Sequence, residues 1–192
     1  MLYLVRHGRT EANAAGLLLG RMESLLTEDG RATVSAMRPL LGTPVRLVSS
    51  PLGRARESAA ALGTDLPVEL DDRWVELDYG EYDGRRLTDV PAEVWARWRA
   101  DADFRPPGGE TLRELGRRVR AACDELFAPG PDSARAADVV VVSHVSPIKA
   151  AVAWALGADD AVTWRLYLAT ASVTAIGWGP GGAVLQCYNR TL

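Results

Sequence analysis

The sequence predicts an α/β fold, a three-layer α/β/α sandwich with a mainly parallel central sheet and an antiparallel edge strand. Three observations predict it. Strand-like and helix-like segments alternate along most of the 192 residues, the order in which helices cover a parallel sheet. The run Val139-Val140-Val141-Val142 is apolar without alternation, as in a strand buried on both faces. Near the C-terminus two β-runs, 172–178 and 183–188, are joined by Gly179-Pro180-Gly181-Gly182, which reads as a hairpin.

The elements follow in order. Residues 2–6 form a short buried strand. Thr27-Glu28-Asp29-Gly30 opens a helix, with Thr27 as N-cap and two acids where the helix dipole favours them; the helix runs to about Leu41 and Gly42 closes it. A second strand spans 45–49. Ser50-Pro51 opens the next helix, with Ser50 as cap and Pro51 at the first helical position, and Gly63 ends it after Leu62. Residues 68–70 give a third short strand. From Asp71 to Glu110 the chain makes a polar, aromatic, arginine-rich excursion with a helix at about 91–100, otherwise loop. A helix over 111–127, a buried strand over 138–143, a helix over 147–156 and the hairpin complete the order. One domain is expected over 1–192, with a lid-like insertion at about 71–110.

Composition limits the function classes. A formal charge of −3 argues against nucleic acid, because such binders displace counterions with clustered positive excess. Anionic small molecules fit, since a local group of arginines suffices for those. Lys149 is the one lysine among 22 basic residues. Cys123 and Cys187 are too few for a disulfide framework or thiolate metal site, so a cytoplasmic location is expected. No apolar run approaches the ~20 residues that cross a bilayer, and no membrane association is expected. The hairpin or an apolar helix face offers a surface for a homodimer.

Both histidines, His7 and His144, stand at the ends of apolar, β-branched runs, and parallel sheets place active sites at strand C-termini. Arg6-His7-Gly8 follows the first strand, where Gly8 lets the backbone turn. Taken alone, His7 reads more readily as a structural strand-end histidine. Ser49-Ser50-Pro51-Leu52-Gly53-Arg54 joins the second strand to a helix whose free N–H groups, with Arg54, suit a phosphate or carboxylate; Arg56 reads as solvated. Ser143-His144 repeats the junction a third time. Parallel strands deliver all three ends to one edge.

These residues resemble the histidine phosphatase superfamily, also called the phosphoglycerate mutase-like family. Arg6-His7-Gly8 matches its signature, Asn13 sits where the family keeps a phosphate-contacting asparagine, and Ser49-Ser50-Pro51-Leu52 with Arg54 is similar to its second arginine motif. Residues 74–84 resemble its acid-donor segment, with the proton donor at Glu76, although Asp78, Glu81 and Asp83 lie in the same stretch. Pro107-Gly108-Gly109-Glu110 and Ser143-His144 complete the set. Val145-Ser146 departs from the glycine often found after the second histidine.

The resemblance implies a metal-independent phosphatase acting on a small phosphorylated metabolite, with no cofactor. It implies attack by neutral His7 to form a phosphohistidine, with the other ring nitrogen donating to a backbone carbonyl. Arg6, Arg54 and His144 hold the phosphoryl oxygens, assisted by Asn13 and the backbone at Val145. Glu76 protonates the leaving oxygen, which asks for a partly buried carboxyl. Phosphoglycerate mutase-type phosphoryl transfer is the enzymatic alternative, and a non-catalytic phospholigand-binding protein the alternative of another class. Glu11 and Arg21 are candidates for the pocket mouth. Within the expected specificity lid, 85–105, Trp95 and Trp98 follow helix spacing with Arg97 and Arg99; they serve either core packing or a substrate ring and a second anion.

Overall fold

A computed structural model describes residues 1–127 and 137–192. Six strands form one sheet: β1 (Leu2–Arg6), β2 (Pro44–Ser49), β3 (Val68–Leu70), β4 (Asp138–Ser143), β5 (Val173–Gly179) and β6 (Gly182–Arg190), in spatial order β3-β2-β4-β1-β5-β6. The first four run parallel; β5 lies antiparallel to β1, and β6 antiparallel to β5. The hairpin turn is tighter than expected, because Gly179 and Gly182 pair within the strands.

The sheet separates two cores, and the unbroken apolar strands supply both. Successive side chains of a strand point to opposite faces. Val5, Val140 and Val142 therefore pack with Val34, Met37 and Leu62 of the helices α2 (Glu28–Ala36) and α3 (Gly53–Ala61) and their flanks. Leu4 and Val141 pack on the other face with Leu115, Val119 and Ile148 of α5 (Leu112–Phe127) and α6 (Val145–Ala155). Two further α-helices among the described residues are α1 (Glu11–Ala14) and α4 (Ala92–Ala100).

Several boundaries differ from the sequence expectation. The helix opened by Thr27 ends at Ala36 and passes into a 3-10 turn over Arg38–Leu40, because Pro39 cannot continue an α-helix. The next helix starts at Gly53, not at Pro51, and its N-cap is Leu52. The helix after β4 begins at Val145, two residues before Pro147, which the first turn tolerates because its N–H there needs no partner. Helix α1 and a 3-10 helix over Asp160–Arg165 lie in stretches to which the sequence assigns no element. Gly8 serves space rather than a turn: a Cβ there would meet the Gly30 backbone of α2.

The excursion after β3 is packed into the core. Trp98 of α4 is 1% exposed and has the rings of Tyr79, Tyr82, Trp95 and Phe104 around it at centroid distances of 5.3–5.7 Å. Arg97 stacks over Phe104, 4.2 Å from the ring centroid. Of the two uses open to this pair, Trp98 takes core packing, while Trp95 is half-buried. We expect Trp98→Ala to cost about 3–5 kcal/mol in urea unfolding; a loss below about 1 kcal/mol would show that the excursion is not anchored there.

Candidate active site

Strands β2, β4 and β1 are neighbours and parallel, so their C-terminal ends share one edge. The register fixes their level: Arg6 pairs with Ser143 and Ser49 with Val142. The ladder then extends one step further, with His7 N–H donating to Ser143 O and Ser50 N–H to Val142 O, both at 3.0 Å. This brings the two imidazole rings within 5.1 Å, centroid to centroid. His144 Nε2 lies 2.7 Å from Ser50 Oγ. The His7 and His144 side chains are both buried.

A carbonyl can only accept, so the 2.7 Å contact between His7 Nδ1 and Gly8 O puts the ring proton on Nδ1 and leaves a lone pair on Nε2. Burial, and then the charges of Arg6 and Arg54, hold the His7 pKa well below the ordinary histidine value. The ring is neutral at pH 7. Burial, Arg54 and His7 depress His144 in the same way. Gly8 is fixed by its N–H donating to Ser58 Oγ at 3.1 Å, and that hydroxyl donates to Arg54 O at 2.7 Å.

The arginines are held by neutral acceptors. Arg54, wholly buried, donates from Nη2 to Gly20 O at 2.6 Å and from Nη1 to Met22 O at 2.9 Å. Asp83 orders that loop by accepting from the N–H groups of Gly20, Arg21 and Met22 at 2.7–2.8 Å. Arg6 donates to Leu168 O at 2.7 Å. Burial lowers both guanidinium pKa values and the Glu76 charge counters it; both groups stay protonated. Among the described residues, no acceptor reaches the buried nitrogens Arg6 Nε, Arg54 Nε and His144 Nδ1. Unsatisfied buried donors are costly, and an anion is what such a group can accommodate.

Glu76 faces this positive cluster from the other side. The residue is 3% exposed, and Oε1 accepts from Leu77 N–H at 2.7 Å and from Ser146 N–H at 3.1 Å, the latter in the first turn of α6, where the dipole favours an anion. Arg118 ties down the backbone beneath it, donating to Arg73 O at 2.7 Å and Glu76 O at 3.3 Å. Glu110 in turn grips Arg118 at 2.8 and 2.9 Å. Ser143 Oγ donates to Trp74 O at 2.7 Å. Tyr79, its phenol pushed upward by burial and by Glu76, meets Ser146 Oγ at 3.3 Å.

A cavity of about 220 Å³ opens here, lined by Arg6, His7, Asn13, Glu76, Tyr79 and Val145, with Leu17, Leu18, Leu19 and Leu87 as apolar wall. Arg54 and His144 lie behind this lining. Asn13 and Thr10 form a reciprocal capping box on α1, Asn13 Oδ1 accepting from Thr10 N–H at 3.2 Å, which leaves the carboxamide N–H groups for another acceptor. Glu11 is exposed, and Arg21 pairs with Asp78 and Glu110 rather than lining the cavity. The N-terminus of α3, expected to offer its N–H groups to a ligand anion, instead has Gly53 N–H bound to the Glu23 carboxylate at 3.0 and 3.2 Å. Sequence reasoning missed Ser50 as a histidine partner, along with Ser58, Asp83 and Arg118. The position of Ser50 beside a strand end was a signal; for the others no local pattern pointed to the site.

Comparison with known proteins gives the following similarities. The family model of the histidine phosphatase superfamily (branch 1) matches residues 2–191. A bifunctional protein of Mycobacterium tuberculosis is 36% identical over 99% of this chain and 54% of its own, so the chain spans about half the length of that relative. Glucosyl-3-phosphoglycerate phosphatase of Mycobacterium tuberculosis is 34% identical, covering 94% of this chain and 87% of the relative. The structure of a mycobacterial glucosyl-3-phosphoglycerate phosphatase with VO3 superposes with a TM-score of 0.87 at 32% identity, covering 99% of this chain and 98% of that one.

The geometry has two measurable consequences. In NMR titrations, with one single-histidine variant for assignment, His7 stays neutral to below pH 6.5, and Arg54→Met moves its pKa upward because a repelling cation is gone; His7 titration at or above 6.5 in the unaltered protein would contradict the site. Asp83→Ala, which releases the loop holding Arg54, weakens calorimetric binding of inorganic phosphate by about ten-fold, and Asp83→Asn recovers part of it. Unchanged affinity in Asp83→Ala would refute that linkage.

Proposed function

Because the chain belongs to the histidine phosphatase superfamily (branch 1), we propose that it is a metal-independent phosphoric monoester hydrolase acting on a small phosphorylated metabolite. The observation that carries this reading is the His7 ring: its Nδ1–H is committed to Gly8 O, and burial beside two guanidinium groups holds it neutral. A nucleophile needs that bare Nε2 lone pair.

A phosphate monoester resists attack because its oxygens repel nucleophiles and its alkoxide leaves poorly; catalysis must offset charge and supply a proton. Arg6, Arg54 and His144 hold the phosphoryl oxygens, with Asn13 and the backbone at Val145 assisting. His7 Nε2 bonds to phosphorus as the P–O bond to the leaving oxygen breaks. Glu76, in its acid form, gives that oxygen a proton. The resulting carboxylate takes a proton from water, whose oxygen attacks the phosphohistidine and releases inorganic phosphate and neutral His7. Glu76 thus acts first as acid and then as base.

The relatives support hydrolysis over transfer to a second acceptor, since those named for an activity at comparable length are phosphatases. The structural relative is a complex with VO3, an oxyanion of the same general class as phosphate. The clustering of all the central groups counts against a non-catalytic binder. A bacterial, cytoplasmic setting goes with this reading, both described cysteines being free.

His7→Ala lowers p-nitrophenyl phosphate hydrolysis by at least about a thousand-fold, while the unaltered protein keeps its activity in EDTA. Full activity in the variant, or loss of activity on chelation, would overturn the proposal.

A further inference from the structure

The cavity of about 220 Å³ has two halves of opposite character. Arg6, His7, Asn13 and Glu76 line the phosphoryl half, and the Tyr79 hydroxyl is engaged with Ser146 Oγ. What remains of the lining is Leu17, Leu18, Leu19, Leu87 and Val145, five aliphatic side chains with no hydrogen-bonding atom. Leu18 and Leu19 are buried, Leu17 is half-buried, and Leu87, 46% exposed, borders solvent. The backbone of this wall is turned away from a ligand as well. Leu17 N–H donates to Ala12 O at 3.0 Å and Leu18 N–H to Arg85 O at 2.8 Å, Leu18 O accepts from Gly84 N–H at 2.8 Å, and Leu87 N–H donates to Gly16 O at 3.0 Å. These groups satisfy one another across the two loops, which meet in an antiparallel bridge between Leu17 and Arg86. The wall is also fixed relative to the phosphoryl half, because the chain runs from Leu19 directly into Gly20, whose carbonyl holds Arg54 at 2.6 Å.

A substrate hydroxyl pressed against these leucines gives up its hydrogen bonds to water and meets no partner on their side chains, which lowers affinity by about ten-fold for each hydroxyl. A methylene in the same place leaves water with a gain of about three- to four-fold. A preformed wall of this kind therefore selects by the absence of polar groups on the alcohol. Resting on the phosphatase assignment above, we propose that the leaving half of the substrate is apolar and packs on Leu17, Leu18, Leu19 and Leu87. The preferred substrates are then phosphate monoesters of aliphatic alcohols, and polyol or sugar phosphates of the same size are disfavoured.

The matched pair of n-propyl phosphate and glycerol 3-phosphate, which share a three-carbon chain and differ in two hydroxyls, tests the inference. The unaltered enzyme favours n-propyl phosphate by about ten-fold or more in kcat/KM, chiefly through KM. Replacing the two less buried leucines together, Leu17→Asn with Leu87→Asn, supplies carboxamides for the hydroxyls and brings the ratio to within about two-fold, whereas Leu17→Met with Leu87→Met retains most of it. A ratio within about two-fold in the unaltered enzyme, a preference for glycerol 3-phosphate, or a ratio that the Asn pair leaves unchanged would overturn the inference. Binding reads the wall without turnover: by calorimetry, His7→Ala protein holds n-propyl phosphate about ten-fold more tightly than glycerol 3-phosphate, and equal affinities would overturn the apolar assignment. Absence of p-nitrophenyl phosphate turnover by the unaltered protein would instead refute the phosphatase reading.

Discussion

Positive charge buried without a local carboxylate partner is the constraint on which the rest of this structure depends. Arg6 and Arg54 are anchored by the carbonyls of Leu168, Gly20 and Met22, which fix geometry and leave the charge in place. Three half-buried arginines are treated differently. Arg118 is paired with Glu110, Arg120 with Asp160 and Arg73 with Asp71. Taking an ion out of water costs several kcal/mol unless it is compensated, so two guanidinium groups buried beside one cavity, Arg6 in its lining and Arg54 behind it, favour an anion there. Among the described residues, Glu76 is the buried carboxylate that acts on both of them.

That arrangement demands a rigid surround, because the two guanidinium charges that favour an anion also repel one another. Stiffness is supplied from a distance. Asp83 fixes the loop that fixes Arg54, and Glu110 grips the arginine that fixes the backbone of Glu76. Ser58 couples Gly8 to the first turn of α3. The excursion after β3 does double service, carrying Glu76 at its start and burying Trp98 further along. Cavity-lining Glu76 stands between the core side chains of Trp74 and Leu77, and a segment packed this way positions an acid more sharply than a free-standing lid.

The outline of the fold was legible because it rests on local pattern. Four parallel strands with a hairpin edge follow from the β-branched runs and the glycine-rich turn, whose periodicity needs no knowledge of partners. Helix ends were less legible. Pro39 shortened one helix, yet the true starts of α3 and α6 depended on strand-end geometry: Ser50 was free to meet His144 because α3 began two residues later than its cap signal suggested. Gly8 was read as a turn residue, while the reason for it lies in the approach of Gly30, 22 positions away in the chain.

Of the candidate site, the sequence by itself determined the chemical inventory: two histidines at strand ends, Arg6 and Arg54 beside them, and an acid-bearing aromatic segment with Glu76. Those choices are recorded residue by residue and survive without coordinates. Only the tertiary structure decided which of them meet, which tautomer His7 adopts, and that Arg54 and His144 stand behind the cavity lining. Strand register, burial and the pairing of one arginine rather than another are long-range properties. They arise when segments a hundred residues apart pack at a few ångströms, and no periodicity along the chain encodes that distance.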